Sequence, residues 1–195
     1  YALGVVVGAP LLAILGAGWK RKTLLLALMG FYALGNLASA LGPTYHDLLL
    51  FRFIAGLPPG AYFGLAALTA VAISPPDRRG RAVSLVMLGL TLAILIGNPL
   101  ATWAGQMIDW RWIYAVVAII AVVTAVLLAM WLPAHVDGPK AKPLAELRAF
   151  NRAPVWQALG IGAIGFAGMF SVFSYLAPTM LEVTRVSAAS IPLAL

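Results

Sequence analysis

Arg52 is the charged side chain that constrains this sequence most, because it stands inside an apolar run from about Leu48 to Ile73. A guanidinium at membrane depth costs several kcal/mol unless it faces protein or a water-filled cavity and finds a partner there. Two chemistries fit. Arg52 lies about one turn inside the end of its apolar run, so it can snorkel outward to lipid headgroups. It can also serve as an electrostatic partner that couples a substrate or a proton to movement across the bilayer. Asn98 is the second candidate, an amide between Gly97 and Pro99 inside an apolar run from about Ala82 to Ile108. It suits interhelical packing or the lining of a central cavity. Asn36, Tyr62, Gln106, Ser171, Ser174 and Tyr175 are further polar groups that could line a pathway, and each is equally suited to packing.

Catalytic chemistry is not expected. His46 and His135 both fall in polar turns, and a metal site needs convergent ligands. No Ser, His and Asp fall within reach of one another, no glycine loop followed by Lys-Ser/Thr is present, and no ATPase signature occurs. No metal, cofactor or catalytic residue is therefore assigned.

The elements that must position these residues follow from composition. Hydrophobic residues make up 63% of the 195 and charged residues 10%, whereas a soluble domain carries roughly 25% charge. The chain reads as all-α, a polytopic helix bundle whose principal partner is the lipid bilayer. Its net charge of +7 is accounted for by basic cytoplasmic loops rather than by nucleic acid. Cysteine is absent, so neither a disulfide nor a thiolate metal site is available. Residue 1 already lies in an apolar run and is not Met, and the chain is read as a piece of a longer protein.

Six apolar segments follow in order: Tyr1–Gly18, Leu24–Leu41, Leu48–Ile73, Ala82–Ile108, Trp112–Leu132 and Pro154–Leu181, with Val186–Leu195 opening a seventh. Lys20-Arg21-Lys22 ends the first. Asp77, Arg78, Arg79 and Arg81 fill the turn after the third. The polar stretch after the fifth holds Lys140, Lys142, Arg148 and Arg152, with Leu144, Leu147 and Phe150 lending it an amphipathic character. Turns after the odd segments carry three, three and four basic residues, and those after the even segments none, one and one. The alternation places residues 19–22, 74–81 and 133–153 in the cytoplasm. Residues 1–133 form a first bundle, 134–153 a linker along the membrane surface, and 154–195 the start of a second bundle.

Glycine and proline shape the spans. Gly56, Gly60 and Gly64 make a small-residue stripe for close packing. Pro58-Pro59 should open the backbone ladder and kink the third segment. Gly97, Pro99 and Gly105 predict a bent fourth segment whose small face packs on protein, since freed backbone groups in lipid must be satisfied by neighbours. Gly8-Ala-Pro-Leu11, Gly97-Asn-Pro-Leu100 and Ser190-Ile-Pro-Leu193 share a small-x-Pro-Leu pattern. That pattern is expected of helix triplets repeated along a transporter, or of chance in a chain rich in Leu and small residues.

These residues resemble the major facilitator superfamily. Arg52-x-x-x-Gly56-x-x-x-Gly60 resembles its fourth-helix motif, Pro75-Pro-Asp-Arg-Arg-Gly-Arg-Ala82 the following cytoplasmic turn, and Gly89…Gly97-Asn-Pro99…Gly105 its fifth-helix antiporter motif. Gly8-Ala-Pro-Leu-Leu12 with Lys20-Arg-Lys22, and Tyr175-Leu-Ala-Pro178, resemble the drug:proton antiporter branch, especially arabinose-efflux-permease-like exporters. The resemblance maps the chain onto family helices two to seven and the start of eight. It implies a secondary transporter, a monomer when full length, that exports a small organic compound in exchange for protons by alternating access. It also implies that residues 97–105 touch residues 186–195. An importer or uniporter on the same fold is the alternative, and a non-transport membrane protein is a further one. Sugar, nucleoside, amino acid and drug all remain open as substrates. Two departures stand out. Gly16-Ala-Gly-Trp19 lacks the carboxylate that usually precedes the basic cluster, which puts the charge lock of that loop in doubt. Ala101 and Thr102 replace expected glycines. No acidic residue lies within a complete span, so a proton-carrying carboxylate is expected outside these spans.

Overall fold

In a computed structural model the chain is described at residues 1–134, 136 and 151–183. Most of the surface linker, the residues from 184 onward and the expected contact between 97–105 and 186–195 lie outside that set. The described residues form helices α1 (Ala2–Gly16), α2 (Arg21–Leu41), α3 (Tyr45–Ala72), α4 (Arg79–Leu92), α5 (Asn98–Met107), α6 (Trp110–Trp131) and α7 (Ala153–Glu182). Five helical stretches among them are long and apolar enough to cross a membrane. The chain divides into two compact units, Tyr1–Leu90 with Ile108–Ala141, and Thr91–Met107 with Lys142–Leu195.

In the first unit α1 packs on α3, α3 on α2, and α2 on α6. Backbone approach across the α1–α3 seam depends on glycine. A Cβ on Gly4 would strike the carbonyl of Phe53, one on Gly8 the backbone of Leu57, and one on Gly56 the carbonyl of Tyr1. A Cβ on Gly60 would lie 2.7 Å from that of Ala9. Without hydrophobic drive between helices in lipid, such close van der Waals approach is what holds them together. Gly64 departs from the expected stripe, because nothing lies within 4 Å of the position its Cβ would take. Gly4 and Gly8 of the facing helix complete the seam instead. On the other flank of α3, Ala55 is wholly buried against Gly35 of α2.

Helix ends are set by local chemistry. Thr44 and Asp47 form a reciprocal capping box at the start of α3, which satisfies two orphan donors of the first turn. Asp109 caps α6 by accepting from the Arg111 amide at 2.9 Å. The 22 residues of α6 span about 33 Å at 1.5 Å per residue, close to the thickness of a hydrocarbon core. Exposed Trp110 and Trp131 close its two ends, where aromatic rings favour the headgroup level. Pro58 and Pro59 do not divide α3, which runs unbroken through both.

Pro99 acts differently. α4 continues into a π-helical segment, Ala93–Gly97, and then into α5. The Asn98 amide bonds to the Ala93 carbonyl five residues back. Proline offers no amide and its ring crowds the preceding turn, and one widened turn absorbs both effects. A π segment thus stands immediately before the proline. The covering expected for its small face is not met among the described residues, and the segment expected to supply it, residues 186–195, lies outside them. Gly97, Asn98 and Gly105 are exposed, Pro99 is half-buried, and only Ala93 of the same helix lies within 4 Å of a Gly97 Cβ. An apolar helix with no buried residue has its stabilising surface among partners or lipid beyond the described residues.

α7 begins with Pro154 in its first turn and carries Pro178 near its end. Gly160, Gly162, Gly165 and Gly168 meet nothing within 4 Å.

Candidate functional site

Arg52 is seven residues past the start of α3, about 10 Å along the helix axis. It is thus two turns deep rather than one, because the capping box extends the helix back to Tyr45. Its Nη1 donates to the Oδ1 of Asn36 at 3.0 Å. Asn36 is 1% exposed, and its Nδ2 donates to the Tyr32 carbonyl at 2.8 Å. Both ends of this buried amide are occupied, which fixes its orientation toward the arginine. The guanidinium also lies over two rings, 4.8 Å from the Tyr1 centroid and 4.6 Å from that of Tyr114. Cation–π contacts of this kind contribute about 0.5–2 kcal/mol each, more where water is excluded. Three neutral partners, Asn36 of α2, Tyr114 of α6 and Tyr1 at the cap of α1, therefore hold one half-buried cation. Ion pairs among the described residues join Arg78 to Asp77 and Arg111 to Asp109, both at neighbouring positions near helix ends.

Beside this cluster is a cavity of about 160 Å³ walled by α1, α2 and α3. Tyr1, Tyr32 and Tyr62 provide its hydroxyls, and Pro58, Pro59 and Phe63 much of its apolar surface. Tyr1 belongs both to the wall and to the ring contact with Arg52, so one ring joins the cation to the cavity. Among the described residues no group of three His, Asp or Glu could hold a metal ion.

The structure thus brings together Arg52 and Asn36, and places Tyr62 on the adjoining wall. Sequence reasoning missed Tyr1, Tyr32 and Tyr114. Tyr32 carried a signal, since it precedes Asn36 by four residues and shares its helix face. Tyr114 carried none, because its approach depends on how α6 packs on α2. Other sequence candidates lie in the second unit. Asn98, expected as a buried amide, is exposed, and its carbonyl accepts from the Thr102 hydroxyl at 2.9 Å. Gln106 and Ser171 are exposed, and Ser171 donates to the Ala167 carbonyl at 2.8 Å. Ser174 and Tyr175 are exposed as well.

The basic turn after α1 is also engaged. Lys22 Nζ donates to the carbonyls of Ala129 and Leu132 at 2.7 and 2.6 Å, and Arg21 Nη1 to the Leu68 carbonyl at 3.1 Å. At the opposite side Arg111 Nη2 reaches the Gly42 carbonyl at 3.4 Å. These contacts put the start of α2 with the ends of α3 and α6, and the end of α2 with the start of α6. Strict up-and-down order requires that arrangement. Lys20 and the Asp77, Arg78, Arg79 and Arg81 turn are exposed.

A bundle of apolar helices, five of them long enough to span a bilayer, with basic turns on one side, is the build of a multi-pass membrane protein. The chain belongs to the Major Facilitator Superfamily, whose family pattern matches residues 1–195. It is similar to the inner membrane transport protein YdhP of Escherichia coli K12, at 36% identity over 95% of this chain and 48% of that protein. It is also similar to the putative transporter AraJ of the same strain, at 34% over 96% of this chain and 48% of the relative. A probable sugar efflux transporter of Helicobacter pylori HPAG1 is 30% identical over 96% of this chain and 48% of its own length. The chain thus spans about half the length of the curated relatives it matches.

Proposed function

We propose that this chain forms the amino-terminal part of a secondary transporter of the bacterial inner membrane, which exports a small organic compound in exchange for protons by alternating access. The observation that carries this reading is Arg52, a cation two turns deep that, among the described residues, is held by Asn36 and two aromatic rings. Five N–H donors radiate from a guanidinium, and one of them is spent on Asn36. The remaining edge suits a carboxylate that comes and goes, whether on the substrate or on another span. A carboxylate beside Arg52 ionises more readily, and it releases its proton when the pair forms. Arg52 is the coupling residue in this scheme, Asn36 orients it, and Tyr62 lines the cavity. The π segment before Pro99 provides a bend, with Gly97 and Gly105 leaving its face free to slide. Names of relatives support the direction, since an efflux transporter is among them, and they bring sugars forward as one substrate class.

Everted membrane vesicles carrying the full-length protein test the reading. With an inward-acid gradient imposed, addition of an exported substrate should release protons from the lumen, and Arg52→Leu should abolish the release. Substrate movement unaffected by collapse of the gradient would instead favour a uniporter.

A further inference from the structure

We propose that Arg21 and Lys22 form a cytoplasmic clasp that grips two helix ends through their backbone carbonyls. This clasp takes the place of an acid–base lock in holding α2, α3 and α6 together as one moving body. The second clause rests on the transport reading above, whereas the clasp itself does not.

The last four carbonyls of a helix have no partner within it, and they carry the negative end of the helix dipole. Lys22 spends two of its three donors on the carbonyls of Ala129 and Leu132, at 2.7 and 2.6 Å, across more than a hundred residues of sequence. Ala129 is in the final turn of α6 and Leu132 is its C-cap. Arg21 reaches the Leu68 carbonyl at 3.1 Å, one turn before the end of α3. Adjacent side chains at the start of one helix thus hold the open end of α6 and reach the closing turns of α3, where the Leu68 carbonyl also accepts within its own helix. The device is repeated in reverse outside. Arg111, at the start of α6, points to the carbonyl of Gly42, the C-cap of α2. Each helix of this antiparallel pair therefore presents a cation to the other's negative end. Among the described residues no carboxylate pairs with Arg21 or Lys22. The turn before Lys20 reads Gly-Ala-Gly-Trp, Asp77 pairs with its neighbour Arg78, and Asp109 pairs with Arg111 itself. The clasp is placed where α6 hands the chain to Pro133 and the polar stretch beyond. Any pull from that stretch on the first bundle passes through the turn that Lys22 holds.

Hydrogen–deuterium exchange and transport, measured on the full-length protein in lipid nanodiscs and in vesicles, separate the two claims. Lys22→Met keeps the apolar stem and removes the donors. It should speed exchange at residues 128–132 by about tenfold, as expected for loss of charged hydrogen bonds, while residues 115–122 stay unchanged. Transport kcat should fall several-fold with KM unmoved, and Lys22→Arg should restore both. Should Lys22→Met fail to accumulate, Lys22→Gln, which keeps one donor group, should give an intermediate exchange rate. Unchanged exchange at 128–132 in Lys22→Met overturns the clasp, whatever transport does. Faster exchange with normal kcat overturns its part in the moving body. Wild-type protein that moves no substrate counts against the transport reading, and the exchange result still decides the clasp.

Discussion

Replacing Asn36 by Leu tests how Arg52 is held. Leu keeps the branched outline of Asn but is bulkier, so it brings an overpacking cost that the double-mutant cycle must cancel. The amide is 1% exposed and makes two hydrogen bonds, 3.0 Å from Arg52 and 2.8 Å to the Tyr32 carbonyl. A hydrogen bond to a charged group contributes about 1.5–3 kcal/mol. Between neutral groups in membrane proteins, interhelical bonds average only about 0.6 kcal/mol and reach about 1.7. The bond to Tyr32 is local to α2, so its loss leaves one carbonyl that still accepts within the helix. The larger loss falls on Arg52, whose cation–π partners remain. A coupling of about 1.5–2 kcal/mol is expected between Asn36→Leu and Arg52→Leu in a double-mutant cycle. Reversible unfolding of the four proteins in mixed micelles measures it, and transport by the same four tests function. A coupling below about 0.5 kcal/mol would refute the reasoning, because Arg52 would then be held by its rings or by headgroups alone.

Gly8→Ala places a Cβ against the Leu57 backbone and should cost about 1–3 kcal/mol, as overpacking does. Gly64→Ala, with open space around it, should be neutral or stabilising by up to about 1 kcal/mol, and equal melting shifts for the two would dismiss the α1–α3 seam. Pro99→Ala restores an amide to the helix interior. It should convert the π segment to regular helix, slow amide exchange over residues 94–99 and reduce transport, and an unchanged exchange pattern would separate the π segment from the proline.

Much of this architecture was legible in the residues. The apolar runs located the spans, and the basic residues of the odd turns against the near absence of them in the even turns set their alternation. Boundaries moved outward by two or three residues where capping overrode hydropathy. Tyr45 opens α3 because Thr44 and Asp47 cap it, and Arg21 opens α2 because its charge is spent on a distant carbonyl. Pro99 was visible as a disturbance, but a missing amide does not say whether a helix kinks or widens. Pro58-Pro59 signalled a disturbed backbone ladder, and α3 nevertheless continues as one helix through both. At the site, Arg52 and Asn36 were each visible as costly groups in an apolar setting. Their pairing and the Tyr114 ring required the neighbour order α1–α3–α2–α6, which no local pattern encodes. The covered face expected for Gly97 and Asn98 depends on partners beyond the described residues. The charge lock was sought among carboxylates, whereas Lys22 uses carbonyls that every residue possesses and no sequence motif marks.

Alternating access at the aromatic cavity is tested most directly by accessibility at Tyr62. Residues 1–195 contain no cysteine, so in a full-length protein with cysteine removed elsewhere the probe is unique; Tyr62 is ten residues from the end of α3, about 15 Å from the cytoplasmic side. Tyr62→Cys in the full-length protein should react with a membrane-impermeant thiol reagent from either face, and substrate or an imposed proton gradient should shift reactivity from one face to the other. Reactivity from one face only, indifferent to both, would contradict the account.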